Sequence, residues 1–223
     1  MAWYARITRY LSAHMVYSQQ KQNSCGIACI MMINFKMKKK HMLAGVATEA
    51  ALATAGGAIG AALGVTYCNS AIDNAVKSEP HVYAEYTKVT GSPYDGSSYS
   101  DADQFPAVLA NLGLGKWECV DLGEKGVGSE ACLSDGAGAP MIALVEWKKG
   151  GSHFVLVDGY TRNSGLVCDP WDGEVHVTPM PFSRAITYNA GDAPLGWSLS
   201  SPIYNYPKGE TGKFNGVVVR RKR

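Results

Sequence analysis

A glutamine placed shortly before a cysteine that opens an apolar run constrains the fold of this chain more than any other feature. Gln19 stands six residues before Cys25, and the segment Ile27 to Phe35 has the composition of a buried helix. Cys25 and Cys29 are four positions apart, so both would lie near one face of that helix. The sequence therefore predicts a helix from Cys25 to about Phe35. Cys29 is expected to be a core residue, with a resolving thiol as the alternative.

A histidine on a strand-like run is the second informative feature. Gly150 to Ser152 form a flexible turn, and His153 opens an alternating apolar run that ends near Gly159. Asp169 follows sixteen positions after His153 and begins an Asp-Pro-Trp turn that includes Trp171. If the intervening strands form a hairpin, the carboxylate of Asp169 returns to the side of His153.

These residues include the groups that acyl transfer from an amide requires: a nucleophile, a proton shuttle and hydrogen-bond donors for the oxyanion. A cysteine at a helix N-terminus gains thiolate character from the helix dipole and from a neighbouring imidazolium. Cys25 is therefore the candidate nucleophile, His153 the candidate base and Asp169 the candidate residue that orients the ring. The side-chain amide of Gln19, with the backbone N–H of Cys25, is the candidate oxyanion hole.

The two blocks together resemble the papain-like superfamily, and most of all the bacteriocin-processing peptidases that remove double-glycine leaders. Those peptidases carry a glutamine six residues before a Cys-Gly-x-Ala-Cys segment, which Gln19 and Cys25 to Cys29 match. They also carry a Gly-Gly-x-His strand followed by Asp-Pro, which Gly150 to Val157 and Asp169-Pro170 match. The resemblance implies a papain-like fold and a thiol peptidase activity that uses the triad named above.

The register of that family also selects among neighbouring glutamines. It favours Gln19 over Gln20 and Gln22, which compete for the oxyanion role. Residues 36–140 and 179–223 match nothing in the family, so the walls that would determine specificity cannot be read from it. We place substrate contacts at four residues beside the two motifs: Ser24, Gly151, Ser152 and Trp171. For Trp171, packing beneath the His–Asp pair is the alternative.

The order of patterns along the chain predicts an α+β fold in one domain, residues 1–223. A helical half, about 1–115, carries the cysteine, and an antiparallel half, about 116–223, carries the histidine and the aspartate. The predicted elements are a helix over Asp103–Leu112 and strands over Trp117–Leu122, Met141–Trp147, His153–Gly159, Leu166–Cys168, Glu174–Thr178 and Gly216–Arg220. A cleft between the two halves is where a site built from both belongs.

Two further segments of the first half have a distinctive composition. Met42 to Val65 is rich in alanine and glycine and contains Glu49 as its one charged residue. A membrane span is conceivable on length, but the glycines and the central charge favour a core helix broken near Gly56-Gly57. Residues 89–101 are typical of a surface loop.

Charge and cysteine content limit the classes of function. The net charge of +2 gives no sign of nucleic-acid binding. The basic clusters at Lys36–Lys40 and Arg220–Arg223 are expected to be solvated, with an acidic partner surface as the alternative.

The six cysteines form no regular framework, which favours reduced thiols. No metal-ligand spacing is visible, so neither a metal nor another cofactor is expected. No signal peptide is apparent, which favours a cytoplasmic protein or one delivered without a Sec signal, and no membrane partner is expected.

The sequence shows neither a transporter region nor a propeptide. In this respect it is similar to free-standing papain-like effectors and interbacterial toxins. The expected function is therefore cleavage of a specific protein substrate through a cysteine thioester, with an immunity protein as a partner. Three alternatives stay open. They are a deamidase or transglutaminase with the same triad, a leader peptidase that cuts after Gly-Gly, and a non-catalytic binding module.

Overall fold

The structure is a computed structural model, and it describes residues 2–8, 12–37, 78–123, 140–160, 164–179, 187–190 and 211–222. Within these ranges the chain combines helices with a large antiparallel sheet, which confirms the predicted α+β class. Every described helix lies before residue 116, and every strand of the large sheet lies after it. The predicted segment Met42 to Val65 lies outside the described residues.

The described helices are α1 (Cys25–Met37), α2 (Glu79–Thr90) and α3 (Phe105–Asn111). The predicted helix at Cys25 is confirmed. The helix predicted from Asp103 begins instead with a 3-10 turn, Ala102–Gln104, and becomes α-helical at Phe105. The carboxylate of Asp101 caps that turn by accepting the backbone N–H of Asp103 at 3.0 Å. None of the described helices is long and apolar enough to cross a membrane.

The large sheet contains seven of the described strands, all paired antiparallel: β3 (Trp117–Asp121), β4 (Met141–Trp147), β5 (Ser152–Tyr160), β6 (Ser164–Asp169), β7 (Glu174–Pro179), β8 (Thr187–Asn189) and β9 (Thr211–Arg221). Six of them follow the order β3-β9-β4-β5-β6-β7, and β8 pairs with β9. Five of the six predicted strands are confirmed within two residues at each end, and the sixth, predicted from Gly216, begins five residues earlier, at Thr211. Strand β8 was not predicted.

The N-terminal segment is a hairpin rather than part of a helical half. Strands β1 (Ala2–Ile7) and β2 (Ala13–Ser18) pair antiparallel as a separate two-stranded sheet. Arg6 fixes this hairpin to the large sheet, because its Nε donates to the carbonyl of Gly173 at 2.8 Å and its guanidinium lies 2.9 Å from the carboxylate of Glu174. Strand β2, which leads to the start of α1, therefore has a fixed position.

Helix α1 is the centre of the larger of two hydrophobic clusters that the described residues form. Every residue of α1 from Cys25 to Phe35 is buried, as expected of a helix that is apolar all round. Side chains of β5 alternate between two faces, so Phe154 and Leu156 pack in the cluster of α1 while Val155 and Val157 pack in the second cluster. Because both faces of β5 are buried, a one-residue shift in its register would exchange the side chains of the two clusters and disrupt the packing of both. This packing holds the start of β5 near the start of α1.

Candidate active site

Cys25 is the first residue of α1 and is 8% exposed. The loop before it is held by the loop that follows α2. The backbone N–H of Asn23 donates to the carbonyl of Gly96 at 3.3 Å, and the hydroxyl of Tyr94 donates to the carbonyl of Asn23 at 3.0 Å. These bonds position the N-terminus of α1, and the thiol with it, relative to α2.

Gly26 is required by close packing at the same helix end. A Cβ atom on this residue would lie 2.3 Å from the ring of Phe105 and 2.7 Å from Oγ of Ser100. The glycine therefore lets α3 and the segment before it approach the N-terminus of α1 directly beside Cys25. This explains structurally why a glycine follows the cysteine.

His153 lies near the start of β5, after a turn in which Gly150 and Gly151 both have a φ of 92°. Its Nε2 lies 2.8 Å from Oδ1 of Asp169, the last residue of β6. The side chain of Cys25 is also close enough to the ring to raise the pKa of His153. Because Asp169 occupies Nε2, Nδ1 is the nitrogen left for the thiol. The structure thus brings Cys25, His153 and Asp169 together.

Asp169 is fully buried and is surrounded by donors. Its Oδ1 also accepts the backbone N–H of Trp171 at 2.8 Å, and its Oδ2 accepts the hydroxyl of Tyr188. A carboxylate held by several donors keeps its charge in an apolar environment and keeps a fixed orientation. Tyr188 is itself fully buried.

The histidine and the aspartate favour each other's charged forms. Burial lowers the pKa of His153, but the charge and hydrogen bond of Asp169, together with Cys25, outweigh burial and raise this pKa to about 10. Burial raises the pKa of Asp169, but the charge and hydrogen bond of His153 and the Tyr188 hydroxyl outweigh it and lower this pKa to about 2. At neutral pH the pair is therefore an imidazolium and a carboxylate.

The other described cysteines differ from Cys25 in their surroundings. Burial raises the pKa of Cys29 and of Cys168 well above the usual range for a thiol. Burial, followed by the hydrogen bond to Asp103, raises the pKa of Cys119 to about 12. These three thiols stay protonated at neutral pH. Cys25 is the described cysteine that interacts with His153, whereas Cys168 lies near His14.

Two tryptophans pack on the ring of His153. Trp147 stacks on it with ring centroids 5.9 Å apart and planes inclined by 24°, and Trp171 meets it edge-on at 6.3 Å and 85°. The sequence did not single out Trp147 or Tyr188. The pairing of β4 with β5 could have indicated the contact between Trp147 and His153. Val145 pairs with His153, and Trp147 lies two residues beyond Val145 on the same face.

Gln19 lies next to the triad but its amide is engaged elsewhere. Its Nε2 donates to the carbonyls of Lys21 and Gln22 at 2.9 and 2.8 Å, and its backbone N–H donates to the carbonyl of Pro170 at 2.8 Å. To serve an oxyanion the side chain must release one of those carbonyls. Gln20, in contrast, is exposed and donates to the hydroxyl of Tyr17. The oxyanion role of Gln19 stays a prediction.

The four predicted substrate contacts have different positions. Ser152 lines, with Cys25, a cleft of about 580 Å³. Gly151 is exposed in the turn before β5, and Trp171 is half-buried against His153. Ser24 is fully buried, and its hydroxyl bonds within the turn to the backbone of Lys21.

The described residues include two groups whose ligand atoms are close enough for a metal, although sequence spacing indicated neither. One is His14, Asp158 and Cys168, and the other is Asp169, Asp172 and His176. In the first, Asp158 pairs with His14 and with Lys36 at 2.7 Å. In the second, Nε2 of His176 lies 2.8 Å from Asp172. These ion pairs already use the carboxylates that a metal would need.

No family model matches the chain, and comparison with curated proteins gives no significant match. Function is therefore inferred from the residues and from the geometry that they form.

Proposed function

We propose that this chain is a papain-like cysteine peptidase that hydrolyses a protein or peptide through a thioester on Cys25. The observation that carries the proposal is the meeting of a cysteine at a helix N-terminus with a buried His–Asp pair, beside a cleft that the cysteine lines. Nucleophile, base and orienting group then stand in the order that amide acyl transfer needs.

The chemistry follows from these positions. His153 holds the proton of the Cys25 thiol, and Sγ of Cys25 attacks the scissile carbonyl carbon. A C–S bond forms while the carbonyl electrons move to oxygen. The tetrahedral intermediate collapses, the C–N bond breaks and the His153 imidazolium gives its proton to the departing amine. Water then attacks the thioester with its proton taken by His153, and the C–S bond breaks to release the acid and restore the thiol. Asp169 stays ionised and holds the ring in place throughout.

A role as a bacterial effector or interbacterial toxin is part of the proposal. It rests on the resemblance to papain-like effectors that act on a particular host or competitor protein. An immunity protein that covers the cleft and blocks Cys25 is the partner expected in a producing cell.

The first experiment measures the reactivity of Cys25. Iodoacetamide at slightly acidic pH should alkylate Cys25 well ahead of the other thiols, because an imidazolium beside a sulfur favours the reactive thiolate. His153→Ala should remove this selectivity, and His176→Ala, which removes another buried histidine of the sheet, should keep it. Uniform slow alkylation of all cysteines would be the outcome expected of a non-catalytic binding module, and it would refute the proposal.

The second experiment identifies the reaction. A Cys25→Ala variant retains the binding cleft and should trap the substrate from a lysate, and the wild-type chain should then convert the captured protein. Two fragments indicate proteolysis, whereas a mass increase of about one dalton on an intact substrate indicates deamidation by the same thioester route. A double-glycine leader peptide, included in parallel, tests leader processing directly.

A further inference from the structure

Residues from several parts of the chain line the cleft beside Cys25. Ser152 and Phe154 of β5 form one side, next to the thiol, and the segment from Tyr99 to Asp103 forms another. Its volume of about 580 Å³ lies within the range of ligand-binding pockets. Because the nucleophile lines the cleft, whatever occupies it lies close to the scissile bond.

The charge of this cleft has a single sign. Three exposed carboxylates line it, those of Asp101, Asp103 and Asp121, and no lysine or arginine of the described chain does. They come from two separate elements, the segment before α3 and strand β3, so the fold brings them together around one cavity. Clefts lined by one sign of charge concentrate ligands of the opposite sign.

An aromatic side chain stands at the same place. Tyr99 is 78% exposed and lines the cleft beside Asp101. A tyrosine face attracts a cation, and an arginine guanidinium stacks on such a ring while its N–H groups bind carboxylates. The aromatic ring and the carboxylates therefore favour the same kind of ligand, by different interactions.

We propose that this cleft selects polypeptide substrates that place an arginine or lysine side chain beside the scissile bond. The inference rests on the proposed peptidase function and specifies its substrate class. Attraction of the cationic residue is one half of the selectivity. The other half is repulsion of an aspartate or glutamate at the same substrate position, since three carboxylates already surround that space.

The test uses peptidyl vinyl sulfones, which trap an active-site thiol covalently. Four probes differ in one residue next to the electrophile, which is arginine, lysine, norleucine or glutamate, and a second set moves that residue one position further away. The rate of adduct formation on Cys25 is measured by intact mass. In at least one set, the basic probes should react about tenfold faster than norleucine, and glutamate should be slowest. The advantage of the basic probes should shrink at 1 M salt, which screens exposed charges.

Variants identify the cleft as the source of this preference. Asp101→Asn, Asp103→Asn and Asp121→Asn keep an acceptor oxygen, so the turn bonds that Asp101 and Asp121 make to backbone N–H groups are retained. The triple variant should bring the ratio of arginine to norleucine rates close to one. Glu146→Gln is the matched control, because Glu146 is an exposed acid of β4 that is not among the residues lining the cleft. It should leave the ratio unchanged. The wild-type probe series needs no variant, so the inference stays testable if the triple variant fails to fold.

The outcomes separate the two proposals. Equal rates for basic and norleucine probes in both sets, with iodoacetamide still selective for Cys25, overturn the charge preference and leave the peptidase proposal standing. Loss of selective iodoacetamide labelling overturns the peptidase proposal, and the inference with it.

Discussion

The backbone N–H of Phe154 points at Sγ of Cys25, with nitrogen and sulfur 3.5 Å apart. Because Phe154 follows His153 in β5, one short stretch of strand fixes both the sulfur and the imidazole that serves it. The distance between Sγ of Cys25 and the ring of His153 therefore depends on how α1 packs on β5, rather than on the loops around the site. Substitutions that disturb this packing should impair the site even when they touch none of the triad.

Gly26→Ala is the sharpest test of that dependence. Alanine normally stabilises a helix relative to glycine by about 1 kcal/mol. Here the added Cβ would lie 2.3 Å from the ring of Phe105, and overpacking of this kind costs roughly 1–3 kcal/mol. We expect a net loss of unfolding free energy and a slower reaction of Cys25 with iodoacetamide, measured by chemical denaturation and by alkylation rate.

The steric origin of this effect can be checked with a second substitution. Phe105→Leu shortens the side chain that the new Cβ meets, so in a double-mutant cycle it should recover part of what Gly26→Ala loses. Strict additivity of the two losses in unfolding free energy would contradict a steric clash between these positions.

Asp169→Asn should lower the pKa of His153. In the wild-type chain burial opposes the imidazolium, and the charge and hydrogen bond of Asp169 are the first influences that overcome it. Without that charge, burial dominates, and the ring becomes neutral at a lower pH. NMR titration of the histidine ring measures the change directly. Asp172→Asn is the control, since Asp172 bonds His176 and should shift the pKa of that histidine while leaving His153 unchanged.

The pair of His153 and Asp169 should make the free energy of unfolding depend on pH. The pKa of His153 is raised from 6.5 to about 10, so its stabilisation is complete below pH 6.5 and is lost as the pH rises toward 10. The pKa of Asp169 is lowered from 3.8 to about 2, so its stabilisation is present above pH 3.8 and is lost as the pH falls toward 2. The contribution of the pair to the free energy of unfolding should be flat between these ranges. Denaturation across pH should show both slopes, and Asp169→Asn should reduce them.

Tyr188→Phe removes one donor from Asp169 and leaves the shape of the core nearly unchanged. Loss of a hydrogen bond to a buried charged group costs roughly 1.5–3 kcal/mol, so unfolding free energy should fall by that order. The reaction of Cys25 should slow as well, because the carboxylate is then held by fewer donors. Tyr17→Phe is a matched control, since Tyr17 is a buried tyrosine that donates to Glu79 at 2.8 Å, a carboxylate of α2. It should reduce stability without slowing the reaction of Cys25, whereas Tyr188→Phe should do both.

The sequence predicted the elements that carry the triad because their signals are local. An apolar run after Cys25 and a glycine turn before His153 each determine the structure of their own segment, and the alternating strands of the second half do the same. Helix α2 was missed although Pro80 lies in its first turn and Gly91 ends it with a φ of 72°. Its apolar positions are few, so the periodicity that a helix prediction needs is weak.

Other features depend on contacts between distant parts of the chain. Strand β8 has three residues, too few for a pattern, yet it places Tyr188 against Asp169. The acidic wall of the cleft joins the segment around Asp101 to strand β3, and no spacing along the chain indicates that they meet. Such juxtapositions follow from strand order and packing, which single-sequence patterns do not encode.

Gln19→Ala separates two roles that one side chain could have. The amide closes the loop before Cys25 through the carbonyls of Lys21 and Gln22, so its loss should lower unfolding free energy by about 0.5–1.5 kcal/mol for each bond. If the amide also turns to the oxyanion during reaction, kcat in the folded variant should fall by about 10²–10³. We expect both effects, measured by denaturation and by turnover of a cleaved peptide at saturation. Gln20→Ala is the control, because Gln20 is exposed and bonds Tyr17, and it should leave kcat unchanged. A stability loss with unaltered kcat would restrict Gln19 to holding the loop, and the backbone N–H of Cys25 would then be the remaining predicted oxyanion donor.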